Sequence, residues 1–420
     1  MIKKSFIFIL IIMFILSSSS IFAEQPLFLE ALIKEVRESN LDILAAKKRW
    51  EASLLKIPQA KSLDNPNVDF SFMKIQKGTI KLDKTMPEDR VLSISQMFPL
   101  FGKLTLKGKI AFIESQISAS EYKDKELEVI NKLKNTYYDL FMNYKVMELN
   151  QDSLRLLETI AKIAEAKYTV GNVGQEEISK MNLEIARLSN NIINLKQERS
   201  SKETQINALL NRPLESKLTT PELKEDLSFN QDVSPLYQLA LQNQPELLIF
   251  SYVIEKNKHA KSLAKRNLLP DLMTEIGLRG ITSGGIGPWD LMLAFSVPFW
   301  FWTKQRYEIK EAIANLEEAE IAYQAIKNVV FSKIKDLLVQ IDIAKNKLNL
   351  YKHNLVPLLE NSISASLSAY RSGKGDLMLL LDTERMLIET KIDYYNVLVE
   401  YNARLSDLER YIGISLSEVK

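Results

Sequence analysis

The sequence predicts a mainly α chain with a small β part. Long antiparallel helices are expected to wind as a coiled-coil barrel, and four β-strands per chain to join a trimeric, twelve-stranded transmembrane β-barrel. Three observations predict this. The chain repeats itself, apolar seams with alternating three- and four-residue spacing run for many turns, and two pairs of short segments alternate apolar with polar residues.

The repeat is visible in three places. Asn65-Pro66-Asn67-Val68-Asp69-Phe70 is answered by Leu269-Pro270-Asp271-Leu272-Met273-Thr274. Met97-Phe98-Pro99-Leu100-Phe101 returns as Ser296-Val297-Pro298-Phe299-Trp300, and Tyr168-Thr169-Val170-Gly171 as Tyr370-Arg371-Ser372-Gly373. A roughly constant offset of ~200 residues across all three points to one internal duplication. The organisation expected is a signal peptide at 1–23, a first repeat at 24–213, a linker at 214–233, a second repeat at 234–413 and a tail at 414–420.

The leader follows from its composition. Lys3 and Lys4 precede the apolar run Phe6 to Leu16, and Ile21-Phe22-Ala23 fits a cleavage site before Glu24. The apolar run is short for a membrane span, and no second one follows it. The chain has no Cys, which excludes disulfides, thiolate metal sites and lipid attachment at an N-terminal cysteine. A net charge of +2 carries no polybasic signal for nucleic acid. The expected compartment is beyond the inner membrane.

Within each repeat the elements follow in the same order. A helix over Leu27 to Leu63 precedes a β-hairpin within 65–98. A helix from Lys103 to Thr169 carries the seam Ile130, Leu133, Tyr137, Leu140, Tyr144, Met147, continuing through Leu154, Leu157, Ala161 and Ala164 to Tyr168. At 1.5 Å per residue it would be ~100 Å long. A helix over Gln175 to Asn211 closes the repeat. The second repeat offers helices over Ser234 to Leu268, Gln305 to Arg371 and Asp376 to Tyr411, with a hairpin within 270–298. Its long seam is Leu337, Ile341, Ala344, Leu348, Tyr351, Leu355 and Leu358. Such a sustained 3.5-residue repeat calls for supercoiled partners. Pro357 should bend this helix without ending it, with the heptad phase surviving through Leu358 and Ala365. Arg212-Pro213 and Thr219-Thr220-Pro221 interrupt helicity at an equatorial joint.

In the strand candidates, Val68, Phe70 and Phe72 alternate with Asp69 and Ser71. Leu92, Ile94 and Phe98 share a face with Gln96 and oppose Ser93 and Ser95. Leu272, Ile276 and Leu278 oppose Glu275 and Arg279, and Trp289, Leu291, Leu293, Phe295 and Val297 oppose Asp290 and Ser296. Apolar-out, polar-in alternation of this kind belongs to membrane barrels. An amphipathic hairpin on a soluble core is the competing explanation. Four strands cannot close a barrel, and open edges are not tolerated in lipid. Three copies would give twelve strands, an even count with room for a lumen. Loops over Lys77 to Asp89 and Ile281 to Pro288 should join the strands. Trp289, Phe299, Trp300, Phe301 and Trp302 should form a membrane-interface girdle around one strand end.

The order of these elements, the Phe98-Pro99-Leu100-Phe101-Gly102-Lys103 stretch and the two Tyr-x-x-Gly turns resemble the TolC-type outer-membrane efflux family. The resemblance covers about Leu27 to Gly413, and the Phe-Pro-x-x-Gly-Lys form is most similar to members serving heavy-metal RND pumps. It implies a homotrimer whose barrel sits in outer-membrane lipid and continues into a periplasmic helical tunnel. It also implies a periplasmic adaptor and an inner-membrane RND or ABC transporter as partners. The turns containing Gly171, Gly174, Gly373 and Gly375 would dock the adaptor; turn chemistry alone also explains these glycines. By the family's motif, Glu177 matches an acid used in tip closure, Asp382 one lining the constriction, and Tyr370 a residue that holds the closed tip. Leu379 stands where a second inward Asp is expected. A solvated face for the acids, and simple seam packing for Tyr168 and Tyr370, are the alternatives.

Catalytic chemistry has no foothold in the sequence. There is no Gly-rich phosphate loop and no nucleophile–base constellation, so no cofactor is expected. His259 and His353 are far apart, and Met273 and Met292, both on the polar strand face, are read as lumen packing. The leading expectation is a passive exit duct of a tripartite efflux system. A pore-free periplasmic coiled-coil scaffold and the outer component of a type I secretion system compete with it.

Overall fold

The computed structural model describes residues 27–73, 86, 89–223, 225–280 and 287–416. The leader at 1–23, most of both hairpin loops and the last four residues of the tail lie outside the described residues.

Lys103–Thr169 is one helix, as the seam requires, and is preceded by Gly102 and followed by Gly171, both at positive φ. Two helices stand where one was expected before each hairpin. Leu29–Ser39 (α1) and Leu41–Lys61 (α2) are separated by Asn40, whose side-chain oxygen accepts from the N–H groups of Asp42 (3.0 Å) and Ile43 (3.1 Å). Val233–Asn243 and Pro245–Arg266 are separated by Gln244, whose Oε1 accepts from Leu247 N–H at 2.6 Å. Such a cap satisfies the donors that a new helix exposes, so a single residue restarts the helix. Numbering in chain order, the long helix Lys103–Thr169 is α3, Gln175–Leu209 is α4, and the pair around Gln244 are α5 and α6.

In the second repeat Gln305–Leu350 (α7) passes through a π turn, Tyr351–Leu355, into Val356–Arg371 (α8). The Val356 N–H reaches back five residues to Tyr351 O, and Pro357 follows. Because proline has no N–H to offer the carbonyl four residues back, the widened turn absorbs the fault. The heptad phase does not survive it. Leu358 is 65% exposed, and burial moves on by one residue to Leu359, Ile363, Leu367 and Tyr370. A π turn adds one residue, which rotates the following helix face. Leu377–Ile412 (α9) ends the described helices.

The strands are β1 (Asn67–Phe72), β2 (Arg90–Phe98), β3 (Asp271–Arg279) and β4 (Trp289–Ser296), antiparallel in the order β1-β2-β3-β4. The chain divides into two compact units, each drawing on both sequence halves. One takes residues up to Ser39, Lys132–Phe229 and Ile341–Ala403; the other takes Asn40–Asn131, Asn230–Gln340 and the chain from Arg404 on.

In the first unit, Tyr137 ties the non-helical stretch after α4 to α3. Its hydroxyl lies 2.6 Å from Leu27 O and 2.7 Å from Glu222 O, and accepts from Glu222 N–H at 2.9 Å. Burial pushes this phenol up to about 12, so it stays a donor at any physiological pH. Arg212 grips Glu35 with two hydrogen bonds, 2.6 and 2.5 Å. In the second unit, the Gln244 break is fitted to Gly413, where an added Cβ would lie 2.3 Å from Asn243 O.

Candidate functional site

Two places concentrate the candidate residues: the sheet and the pair of turns between helices.

The sheet is inverted relative to a soluble protein. Register places Val68, Ile94, Ile276 and Leu291 in one row across all four strands, and Phe70, Leu92, Leu278 and Trp289 in the next. Most of this apolar face is open: Val68 64%, Ile276 54%, Leu293 58% and Phe295 60% exposed. On the opposite face, Ser93 and Ser95 are buried, and Asp69, Gly277 and Asp290 continue the row of Ser93. Asp69 and Asp290 on the outer strands are exposed; an open apolar face backed by a polar one suits lipid outside and water inside. Met273 and Met292 both lie on the polar face, and Met97 stands directly opposite Met273.

The aromatics do not gather at one strand end. Trp289 begins β4, whereas Phe299, Trp300, Phe301 and Trp302 follow its far end, Ser296. Seven steps of about 3.4 Å separate the first and last residues of β4, close to the ~25 Å height of a membrane band. All five rings are about half exposed or more, and Trp302 packs edge-on against Trp300 and Phe301.

The Phe-Pro-x-x-Gly-Lys stretch locks β2 to β3. Lys103 is buried, and its ammonium donates to Asp271 Oδ1 and Leu269 O, both at 2.8 Å. Asp271 Oδ1 also accepts from Leu100 N–H at 3.0 Å, and Arg266 donates to Phe101 O at 2.7 Å. The glycine allows the positive φ that turns the chain into α3.

At the first turn, Gly171 N–H donates to Tyr168 O (2.9 Å) and Asn172 N–H to Lys167 O (2.9 Å). At the second, Gly373 N–H donates to Tyr370 O (3.1 Å) and Lys374 N–H to Ala369 O (3.0 Å). Both are Schellman closures with glycine at the left-handed position. Gly174 and Gly375 differ. An added Cβ at Gly375 would lie 2.7 Å from Tyr370 N, while at Gly174 it would meet only Glu176 N at 4.0 Å.

Tyr370 is buried among Leu157, Ile160, Met181, Leu377, Leu380 and Leu381. Its hydroxyl donates to Glu177 Oε2 at 3.1 Å. Burial, and then this carboxylate, hold the phenol protonated by raising its pKa. Lys167 covers the ring, 3.9 Å from its centroid, and donates to Tyr370 O. Glu177 and Tyr370 are thus brought together. Asp382 stands apart from them, exposed and paired with Arg385 at 3.5 Å. Arg385 also reaches Glu184 of α4 at 3.4 Å. Leu379 is 61% exposed.

Sequence reading missed Lys167 and the buried pair Ser153–Glu384, in which the hydroxyl donates to the carboxylate. Burial raises the pKa of Glu384, with the Ser153 hydrogen bond opposing. No periodicity announces contacts between residues this far apart in the chain. Among the described residues, no three of His, Asp and Glu gather closely enough to hold a metal ion, and no helix is long and apolar enough to cross a membrane.

The comparisons with known proteins agree with this geometry. A family model described as outer membrane efflux protein matches residues 32–212 and again 236–414. The cobalt-zinc-cadmium resistance protein CzcC of Cupriavidus metallidurans is 19% identical over 400 residues, 93% of this chain and 91% of its own length. Toxin and drug export protein A of Aggregatibacter actinomycetemcomitans is 19% identical over 348 residues, 79% of this chain and 75% of that protein. Crystal structures of CusC, described in terms of transmembrane channel formation, share the fold with a TM-score of 0.79 at 14% identity, covering 92% of each chain.

Proposed function

The chain belongs to the outer membrane efflux protein family, and from that premise we propose that it is the outer-membrane exit duct of a tripartite efflux system. Three copies pool their strands into a barrel in outer-membrane lipid, and their helices line a periplasmic tunnel. It works without a catalytic centre or cofactor, so transport energy comes from an inner-membrane pump, coupled through a periplasmic adaptor.

The observation that carries this reading is the sheet. Its apolar face is exposed, the polar face is buried only at the two central strands, around Ser93, Ser95 and Gly277, and among the described residues both outer strands have an unpaired edge. Lipid tolerates neither open edges nor unsatisfied backbone groups, so closure by further copies is the physical remedy. A helical scaffold without a pore has no use for such a sheet. The experiment is fractionation of cells expressing the full chain. A carbonate-resistant outer-membrane trimer with heat-modifiable sheet content is expected, and a soluble monomer would end the proposal.

The turns between helices are read as the tunnel's gate and adaptor contact. Glu177, Tyr370 and Lys167 form the clasp that holds the turns together, Gly171, Gly174, Gly373 and Gly375 shape the surface the adaptor meets, and Asp382 gives each copy one carboxylate at the constriction. A ring of three such carboxylates favours cations. Single-channel recording of Asp382→Asn tests this: reduced cation preference and weaker block by divalent cations are expected, and unchanged traces would remove Asp382 from the gate.

Cargo is the point on which the relatives diverge, since one is named for metal resistance and another for toxin and drug export. The second name keeps the type I secretion duct as the alternative. Co-purification with an RND pump or with an ABC transporter distinguishes the two.

A further inference from the structure

The four strands contain three methionines, and all three stand on the polar face. Met97 of β2 is directly opposite Met273 of β3. Met292 of β4 is opposite Glu275, which places it diagonal to Met273, whose own opposite on β4 is Ala294. The apolar face carries Val, Leu, Ile, Phe and Trp and no methionine. Apart from Val91, which is buried, methionine is the only large apolar residue on the polar face. Packing explains this segregation poorly. A methionine that only filled space would serve either face, and β-branched or aromatic residues suit strands better. What sets Met apart from Leu and Phe on such a surface is its thioether sulfur.

The register brings the three sulfurs within reach of one another. Directly opposed Cβ atoms in an antiparallel pair stand about 4.5–5.5 Å apart, and diagonal ones about 7–8 Å apart. Each sulfur lies two bonds beyond Cβ on an unbranched, adaptable side chain, so Met97 and Met292 can both close on the space over Met273. Met292 is 45% exposed, and Met97 and Met273 are half-buried. Glu275, next along this face of β3, adds a carboxylate that has no ion-pair partner among the described residues. The nearby cations are already engaged, Lys103 with Asp271 and Arg279 with Asp290. Met97 stands two residues before Pro99, so the cluster lies at the end of the sheet from which α3 begins.

We infer that Met97, Met273 and Met292 form a binding site for a soft monovalent cation, Cu(I) or Ag(I), on the water-facing wall of the barrel. That this wall meets water rests on the exit-duct reading above; the donors themselves belong to a single chain. Thioethers are soft, neutral ligands that select Cu(I)-like ions. Zinc takes thiolate, imidazole or carboxylate ligands, and among the described residues no three of His, Asp and Glu gather to supply them. The donors thus favour a different class of metal from the cobalt and zinc in one relative's name. Without a thiolate the site holds its ion loosely enough to release it, as passage along a duct requires.

The test uses the full chain purified in detergent, with Ag(I) as the probe and Zn(II) as the comparison. Titration calorimetry should show Ag(I) bound at concentrations where Zn(II) is not, and X-ray absorption at the silver edge should show sulfur neighbours. Met and Leu are close in volume, so M97L, M273L and M292L should keep the fold. M273L removes the central donor and should cause the largest single loss of Ag(I) binding; the triple variant should abolish it. M378L with M386L, which removes two exposed methionines of α9, should leave binding unchanged. Sulfur-bound silver that survives the triple substitution would overturn the site, as would equal binding of Zn(II) or no binding of Ag(I) by the unaltered chain. If the triple variant loses its heat-modifiable sheet, M292L alone, at the most exposed of the three positions, carries the test. Native mass measurement of the same preparation separates the two failures: a soluble monomer sinks the exit-duct reading, whereas a trimer that takes up no silver sinks the metal site alone.

Discussion

The two turns between helices look equivalent in sequence and differ in structure. Tyr168 and Tyr370 each stand three residues before a left-handed glycine, yet Tyr168 is 45% exposed and Tyr370 is 1% exposed. The difference lies in what each turn lends the other. Lys167 of the first turn reaches across to the ring and carbonyl of Tyr370, and Glu177 accepts its hydroxyl. Ala369 stands in the second turn where the first has Lys167, so nothing comparable is returned to Tyr168. One turn thus carries the buried tyrosine, and the other supplies the side chains that hold it.

The largest test of this asymmetry is truncation. Tyr370→Ala should cost about 3–5 kcal/mol, as for removal of a buried aromatic ring. Tyr168→Ala should stay within about 0.5 kcal/mol. Equal thermal midpoints for the two variants would break the comparison. Next comes the glycine after each turn. Gly375→Ala forces a methyl group against backbone that cannot yield, and about 2–3 kcal/mol is expected, whereas Gly174→Ala changes only a helix N-cap and should cost less than about 1 kcal/mol. Denaturant midpoints of the pair read the difference directly. A smaller effect isolates the hydroxyl. Tyr370→Phe keeps the ring and should lose about 1–2 kcal/mol with the bond to Glu177, and Tyr168→Phe should lose nothing measurable. If the clasp closes a gate, Tyr370→Phe also raises the resting conductance of reconstituted channels, and Tyr168→Phe does not.

The smallest expected effect concerns pH. Glu384 accepts from Ser153 and stands one turn along α9 from Leu380 and Leu381 of the apolar cluster, and its folded pKa is raised by burial. The native state then holds a proton that the unfolded chain gives up. Stability is fully present below the ordinary carboxylate range and declines as pH rises from there through the raised value. Glu384→Gln should flatten that decline. Thermal melts across mildly acid to neutral pH measure it, and identical slopes in the two proteins would remove Glu384 as the cause.

Much of the fold was legible in the sequence because its signals are periodic. The seam from Ile130 gave a helix whose expected and observed bounds coincide at Lys103 and Thr169, since glycine stands just outside each end. The strand faces were readable from alternation alone, because a period of two leaves only two faces to choose between. Helix breaks at Asn40 and Gln244 were not foreseen, since one capping side chain restarts a helix without disturbing the apolar pattern. Pro357 marks a fault in the helix, but the sequence does not show how the chain absorbs it. A π turn absorbs one residue and moves the buried face, which is a matter of hydrogen-bond geometry. Trp289 and the cluster from Phe299 were grouped together by composition, and only the span of β4 separates them.

Taken alone, the amino-acid order determined the helices, the inverted faces of the strands and the pairing of two similar halves, because each depends on residues a few positions apart. The tertiary structure decided which of two matched tyrosines is buried, that Lys167 covers it, and that Glu177 rather than Asp382 meets it. These contacts join side chains some two hundred residues apart, and only the packing of helices against one another sets the distances on which they depend.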